Sequence, residues 1–442
     1  MQKLIPAVFV ILLFFTNCSQ PKNELAQQTS DSLKKAAGWF YSISTHGGYA
    51  GIYSLDLKKR YGEGFYEPAT STEIWVQQGG TPSFGEVALR AYKITGDKTY
   101  LNIATDAARA LAWGQRDVGG WEHLVDIAHF DPKAEMPVRK EGRCSFDDDM
   151  TQGPISFLID LDKIIDKKWL TDAIETGLNF MIKSQFENGG WSQWFPLIGG
   201  YHNYFTFNDN AINSNIALML KAHLIYGNKE YLECAKRGGD FIILSQMPEP
   251  QSGWAQQYSH DLKPAGARVF EPAGVCSSVT SRNIKTLVDL YKYTKDEKYL
   301  APIPKAISWL EESKIAENRW ARLYEVKTNR PIYGDRKQEK KILYDYSKVS
   351  DFEKTHYSWQ GDAGVKQATN YYNSVKAGNK TLKASIKNRP DAKEIEPKVK
   401  EILAALDNKG RWISDSVIYS KIFIKNANTL CSYLELCSAG NE

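Results

Sequence analysis

A turn repeated along this 442-residue chain limits what it can fold into. It reads GDKTYL at 96–101, DKKWL ending at Leu170, GNKEYL at 227–232 and DEKYL ending at Leu300. The aromatic positions Tyr100, Trp169, Tyr231 and Tyr299 lie 69, 62 and 68 residues apart. A second series, Trp121, Trp191, Trp254 and Trp320, runs at spacings of 70, 63 and 66. Tyr49 in HGGYAG and Trp412 in KGRW read as degenerate outer members, giving about six units. Self-similarity at a fixed period is the signature of a repeat architecture.

Each unit carries helical periodicity on both sides of its turn. Residues 84–95 and 98–115 place apolar side chains at intervals of three and four, and Gly96-Asp97 breaks them apart. The order helix, turn, helix, Gly-Gly-Trp or its variant recurs at 155–191, 211–254 and 281–320. Stacked helical hairpins of this kind close into a ring with the long loops gathered at one mouth. The expected fold is therefore all-α, an (α/α) toroid of about six hairpins occupying 31–442. Two units also carry QxxxGxW (Gln115, Gly119, Trp121 and Gln185, Gly189, Trp191), which resembles the repeat of triterpene cyclases. In other α/α toroids the same turn simply ends a helix.

The first residues read as an address rather than as fold. Lys3 precedes the run IPAVFVILLFF, too short for a comfortable membrane span and shaped like a secretory h-region. Cys18 directly after Phe-Thr-Asn resembles a bacterial lipoprotein box. That implies a lipoprotein signal peptide over 1–17, a lipidated Cys18, a polar tether over 18–30, and a place in the cell envelope, periplasm or outer membrane surface. The remaining cysteines number five and contain no CxxC pair, which speaks against a zinc site or a full disulfide framework. A net charge of +4 is small for this length and gives no argument for nucleic acid. The expected partners are an anionic polysaccharide and, through the anchor alone, a membrane; the chain is expected to be a monomer.

The loops after each Trp hold the polar clusters. The stretch 188–215, NGGWSQWFPLIGGYHNYFTFNDNAINSN, sets Asp209 between Asn208 and Asn210 just before an apolar helical run. That pattern serves either as a helix cap or as a set of hard oxygen donors. Asp147, Asp148 and Asp149 form a second acidic turn before a helix, where carboxylates are also favoured by the dipole. Two further loops are basic: KPAGARVFEP, with Lys263 and Arg268, and RWARLYEVKTNRPIYGDR, with Arg319, Arg322, Arg330 and Arg336. Guanidinium forks match carboxylates, and carboxylates in other loops supply Ca²⁺ ligands. Together they describe a site for a polyuronate: calcium and arginines on the sugar carboxylates, aromatics such as Trp191 on the rings.

The run GGWSQWFPLIGGYHNYFTFNDNAI, followed by GWAQQY, KPAGARVFEP, RLYEVKTNRPIYGDR and HYSWQG, resembles the family 10 pectate lyases over roughly residues 84–375. The resemblance implies a secreted α/α toroid that cleaves polygalacturonate by calcium-assisted β-elimination. It implies Asp147 and Asp209 as calcium ligands, Arg268 as the base, and Arg322 and Arg336 as contacts to substrate carboxylates; the loops themselves add Lys263 and Trp191 as candidate substrate contacts. Departures lie in the loops: Ser192 stands where proline is usual, AGVCSS follows Glu-Pro, KQEK follows Gly-Asp-Arg, and MTQGP replaces a threonine-rich run. Two other readings compete: a toroid glycoside hydrolase using Asp147 and Asp209 as acid and base, and a non-catalytic glycan-binding lipoprotein.

Overall fold

The structure, a computed structural model, describes residues 24–338, 341–378 and 391–439. Cys18 and the expected signal peptide lie outside the described residues. The described residues divide into two compact units. The first comprises Met1–Gly142, Gly153–Gly177 and Lys383–Glu442, and the second comprises Arg143–Gln152 and Leu178–Leu382.

In the first unit α1 (Glu24–Ser42) packs against α13 (Ser420–Ala439), which also touches α2 (Thr81–Thr95) and α12 (Ala392–Ala404). α1 begins inside the span expected as a tether, with Thr29 and Leu33 buried. The correction has a simple cause: polar composition hid a helix whose apolar face recurs at 33, 36, 37 and 40. α2 and α3 (Lys98–Gly114) form the first hairpin. Gly96 ends α2 at φ +71°, and its N–H returns to the Tyr92 carbonyl; Asp97 then caps α3 through the Thr99 amide. α4 (Gln152–Asp162) and the part of α5 (Lys168–Lys183) up to Gly177 follow, and the strands 413–414, 417–419, 52–54, 60–61 and 68–69 form one antiparallel sheet.

The second unit repeats the scheme. α6 (Ala211–Tyr226) and α7 (Lys229–Leu244) are joined at Gly227 and Asn228, which reproduce the Gly96 and Asp97 geometry. α8 (Ser277–Thr294) and α9 (Ile303–Glu312) are joined through Lys295, at φ +62°, and the capping carboxylate of Asp296. α10 (Asp351–His356) is short, and α11 (Val365–Lys376) packs on α8. The repeated Tyr100, Tyr231 and Tyr299 are all buried just past the turn. The GDKxYL signal is thus a helix stop, a helix start and an anchor in one hexapeptide.

The tryptophan series is equally structural. The indoles of Trp121, Trp191, Trp320 and Trp412 each donate to the carbonyl ten residues back, on Leu111, Met181, Leu310 and Ile402. Trp254 donates to Ile242. The QxxxGxW glutamines complete a clip. Gln115 donates to the carbonyls of Gly119 and Ala173, and Gln185 to those of Gly189 and Cys234. Gln246 makes the same reach to Ser252 and Pro302 without the Gly-Gly spelling. With its glutamine and indole committed to main-chain carbonyls, the motif ends a helix and pins it to the next hairpin. Trp191 is consequently 0% exposed, which corrects its expected place against a sugar ring. The five described cysteines are free, and among the described residues no helix is long and apolar enough to cross a membrane.

Candidate active site

The acidic and basic side chains that sequence analysis put forward for the site belong to the second unit. Two-residue strands step across its loops: Cys144–Ser145 pairs with Trp194–Phe195, and Phe205–Thr206 with Gln257–Tyr258. Val275–Cys276 pairs with both Trp254–Ala255 and Leu323–Tyr324. Each Trp turn therefore holds its neighbour in register, and the residue two past the indole faces the polar cluster. Those residues are Gln193, Gln256 and Arg322.

The acidic turns 147–149 and 208–210 are copies of one backbone. Ser145 Oγ accepts from the Asp147 amide as Thr206 Oγ1 does from the Asn208 amide, at 3.0 and 3.1 Å. Asp148 (φ 46°, ψ 39°) and Asp209 (φ 47°, ψ 33°) share a left-handed conformation that most side chains avoid. The two turns pack against each other, and Asp209 is close enough to act on the Asp147 carboxyl. Burial, then Asp209 and Asp148, push the Asp147 carboxyl well above the ordinary carboxylate range. Gln193 Nε2 donates to its Oδ2 at 2.9 Å, whereas its Oδ1 is buried without a hydrogen-bond donor, as is Gln193 Oε1. Asn208 donates to Asp209.

Hard oxygens crowded together and short of protons are what a divalent cation relieves. The donor set fits calcium: the carboxylates of Asp147 and Asp209 with amide oxygen at hand. Among the described residues no group of three or more His, Cys, Asp or Glu gathers for a metal. A shell here would need amide, water or ligand oxygens as well.

The basic loops divide. Arg268 is gripped by Glu271, with Nε to Oε2 at 2.8 Å and Nη2 to Oε1 at 3.0 Å, and Tyr357 bridges the two. The Ala267 amide donates to the Glu271 carbonyl and the Glu271 amide to that of Arg268, closing the loop on itself. Glu271 is only 4% exposed, so this is no loose surface pair. Its hydrogen bonds raise the Arg268 pKa further, and burial raises that of the Tyr357 hydroxyl. A Cβ on Gly334 would lie 1.6 Å from the Phe270 carbonyl oxygen, so this loop approaches 334 in a way only glycine allows. Phe270 carries Arg268 and Arg336 against its ring, at 5.0 and 4.5 Å. Arg336 pairs with Glu353, which is fully buried, at 3.2 Å.

Arg322 is held differently. Its Nη2 reaches Gln256 Oε1 at 3.0 Å and Asn208 Oδ1 at 3.2 Å, and the guanidinium stacks over Tyr357 at 4.7 Å. Lys263 stands apart: it is 78% exposed and paired with Asp261 at the tip of a hairpin. The structure thus brings Asp147 to Asp209 and sets Arg322 beside the Asp209 turn. Sequence reasoning missed Gln193 and Gln256, although both occupy the same repeat position as Arg322. Tyr357, inside the HYSWQG motif, was given no role.

A model of pectic acid lyase matches residues 115–317 and 312–368, more than half of the chain. The chain belongs to the pectic acid lyase family. It is a polysaccharide lyase by family. The family 10 polysaccharide lyase from Cellvibrio cellulosa aligns at 20% identity over 66% of this chain and 97% of its own, with a TM-score of 0.51. A mutant of that lyase in complex with trigalacturonic acid aligns at 19% identity over 66% and 98%, also at 0.51. A glycoside hydrolase family 76 mannosidase from Bacteroides thetaiotaomicron aligns at 10% identity over 95% and 100%, at 0.50. These likenesses carry the fold, the (α/α) toroid. No curated protein matches the chain.

Proposed function

We propose that this lyase cleaves a polyuronate, of the pectate or polygalacturonate type, by calcium-assisted β-elimination. The observation that carries the proposal is the Asp147 and Asp209 pair beside Arg322. One side of the site is short of positive charge, and its neighbour is short of negative charge. A uronate satisfies the second, and a calcium ion held by Asp147 and Asp209 satisfies the first. When bound, calcium stabilises charge that develops on the sugar carboxylate as the proton α to it departs. Arg322 takes a carboxylate oxygen, and Tyr357 keeps that guanidinium flat.

Arg268 is the proposed base for the C5 proton. In the resting site it is charged and tied to Glu271, so it must surrender a proton before it can accept one. Its pairing with Glu271 favours the charged form; calcium bound nearby, the Arg322 guanidinium and an alkaline medium would favour the neutral one. The C4 oxygen then leaves as the C4–C5 double bond forms, without water. The alternative, a paired-Asp hydrolase on the same toroid, needs two carboxyl groups about 5 to 9.5 Å apart and would keep its activity without calcium. With Cys18 lipidated, the enzyme would work from the cell envelope.

The test is product analysis on a panel of polyuronates, with and without chelator. The proposal expects products absorbing in the ultraviolet, and activity that chelator abolishes and calcium restores. New reducing ends without that absorbance would make the enzyme a hydrolase. No cleavage of any polyuronate that it binds would leave a glycan-binding protein.

A further inference from the structure

Sequence analysis assigned nothing to Arg282, on α8. This helix packs against the turn 208–210 that carries Asp209. Its first residue, Ser277, donates its amide to the Arg322 carbonyl at 3.0 Å, and Arg322 in turn reaches Asn208 in the same turn. Arg282 lies five residues on from Ser277, on the helix that flanks the Asp209 turn, and both Arg322 and Asp209 act on its charge. It is half-buried, and its Nε is fully buried without a hydrogen-bond partner. Burial works against its charge; Arg322 adds to that penalty, and Asp209 partly offsets it. Guanidinium nevertheless stays protonated in proteins, so a further anion here would be bound favourably.

A count of partners around the site sharpens this. Arg268 has the buried Glu271, and Arg336 has the buried Glu353. Among the described residues no ion pair reaches Arg322, whose acceptors are neutral amides, or Arg282, whose Nε has no acceptor. Neither guanidinium has an ion pair among the described residues, and Asp209 offsets the burial of Arg282 only in part. Leaving such donors buried and unmet costs free energy that a bound carboxylate returns.

We propose that Arg282 is a substrate-binding residue which, together with Arg322, holds the carboxylate of an acidic sugar on the α8 side of the Asp209 turn. The inference rests on the polyuronate reading and adds to it where the acid group sits.

The test uses an Arg268→Lys background to suppress turnover, with calorimetric binding of trigalacturonate, trimannuronate and fully methyl-esterified trigalacturonate in calcium. Adding Arg282→Gln is expected to weaken the charged trimer tenfold or more and to leave the esterified trimer unaffected. Arg282→Lys is expected to recover part of the loss, and melting of all variants should stay within a few degrees of the parent. Unchanged binding of the charged trimer by a folded Arg282→Gln variant overturns the inference. Equal losses on charged and esterified trimers do so too, since they mark a structural role. Failure of the parent to bind either uronate trimer overturns the polyuronate reading itself, and this inference with it.

Discussion

The two sides of the candidate site treat arginine in opposite ways. Around Phe270, Arg268 and Arg336 each face a buried carboxylate. Around the Asp209 turn, Arg322 faces amide oxygens and an aromatic ring. The first arrangement holds a guanidinium in place and spends its charge inside the protein; the second holds it just as firmly and leaves the charge for a ligand. Residue type alone does not separate the roles. The partner does.

The largest effect should come from the first side. Arg268→Lys keeps charge and loses the planar fork, so turnover should fall by roughly 10²- to 10⁴-fold while oligouronate still binds. Ultraviolet product release alongside calorimetry measures both halves; near-normal turnover would take Arg268 out of the chemistry and leave Glu271 as a purely structural partner.

Next comes a direct contrast. Arg336→Gln leaves Glu353 buried with no guanidinium, and should cost about 2 kcal/mol of stability, below the usual figure for a buried pair because Arg336 is itself partly exposed. Arg322→Gln strands no carboxylate, so it should melt like the parent and bind oligouronate about tenfold more weakly. Paired melting and binding curves decide the matter. The comparison breaks if Arg336→Gln loses affinity with stability intact.

The smallest effect concerns Asp147. Its raised pKa means that the folded chain holds a proton the unfolded chain has released, above the ordinary carboxylate pKa of about 3.9. Stability from this group is therefore present at low pH and lost as pH rises through the folded value. In chelator the parent should melt lower at pH 8 than at pH 5; Asp147→Asn should flatten that slope and melt a few degrees higher at pH 8. Calcium should stabilise the parent at pH 8 and the variant little. An unchanged slope in the variant would move the strain to another carboxylate.

The repeat was legible because each of its signals has one local cause. Gly96 and Gly227 end helices through positive φ, and Asp97, Asn228 and Asp296 cap the next ones. Gln193, Gln256 and Arg282 were not legible, since their roles depend on which loops meet, and no local pattern encodes that. Trp191 was misread for a related reason: an indole in a loop motif looks the same whether its N–H meets a sugar or, as here, the Met181 carbonyl. α1 was missed because its polar face outweighed a four-residue apolar stripe in the composition.

The Trp turns have a consequence for how such an enzyme changes. The clip uses one glutamine, the backbone and one indole, and a tyrosine closes several copies, as Tyr258 and Tyr324 accept from the Ala255 and Ala321 amides. None of these atoms belongs to the residue two past the indole. That position is an interchangeable socket: Gln193, Gln256 and Arg322 can be rewritten singly or together while the frame that presents them stays the same. A library confined to those three codons would sample acidic, basic and neutral sugar preferences on one unaltered backbone.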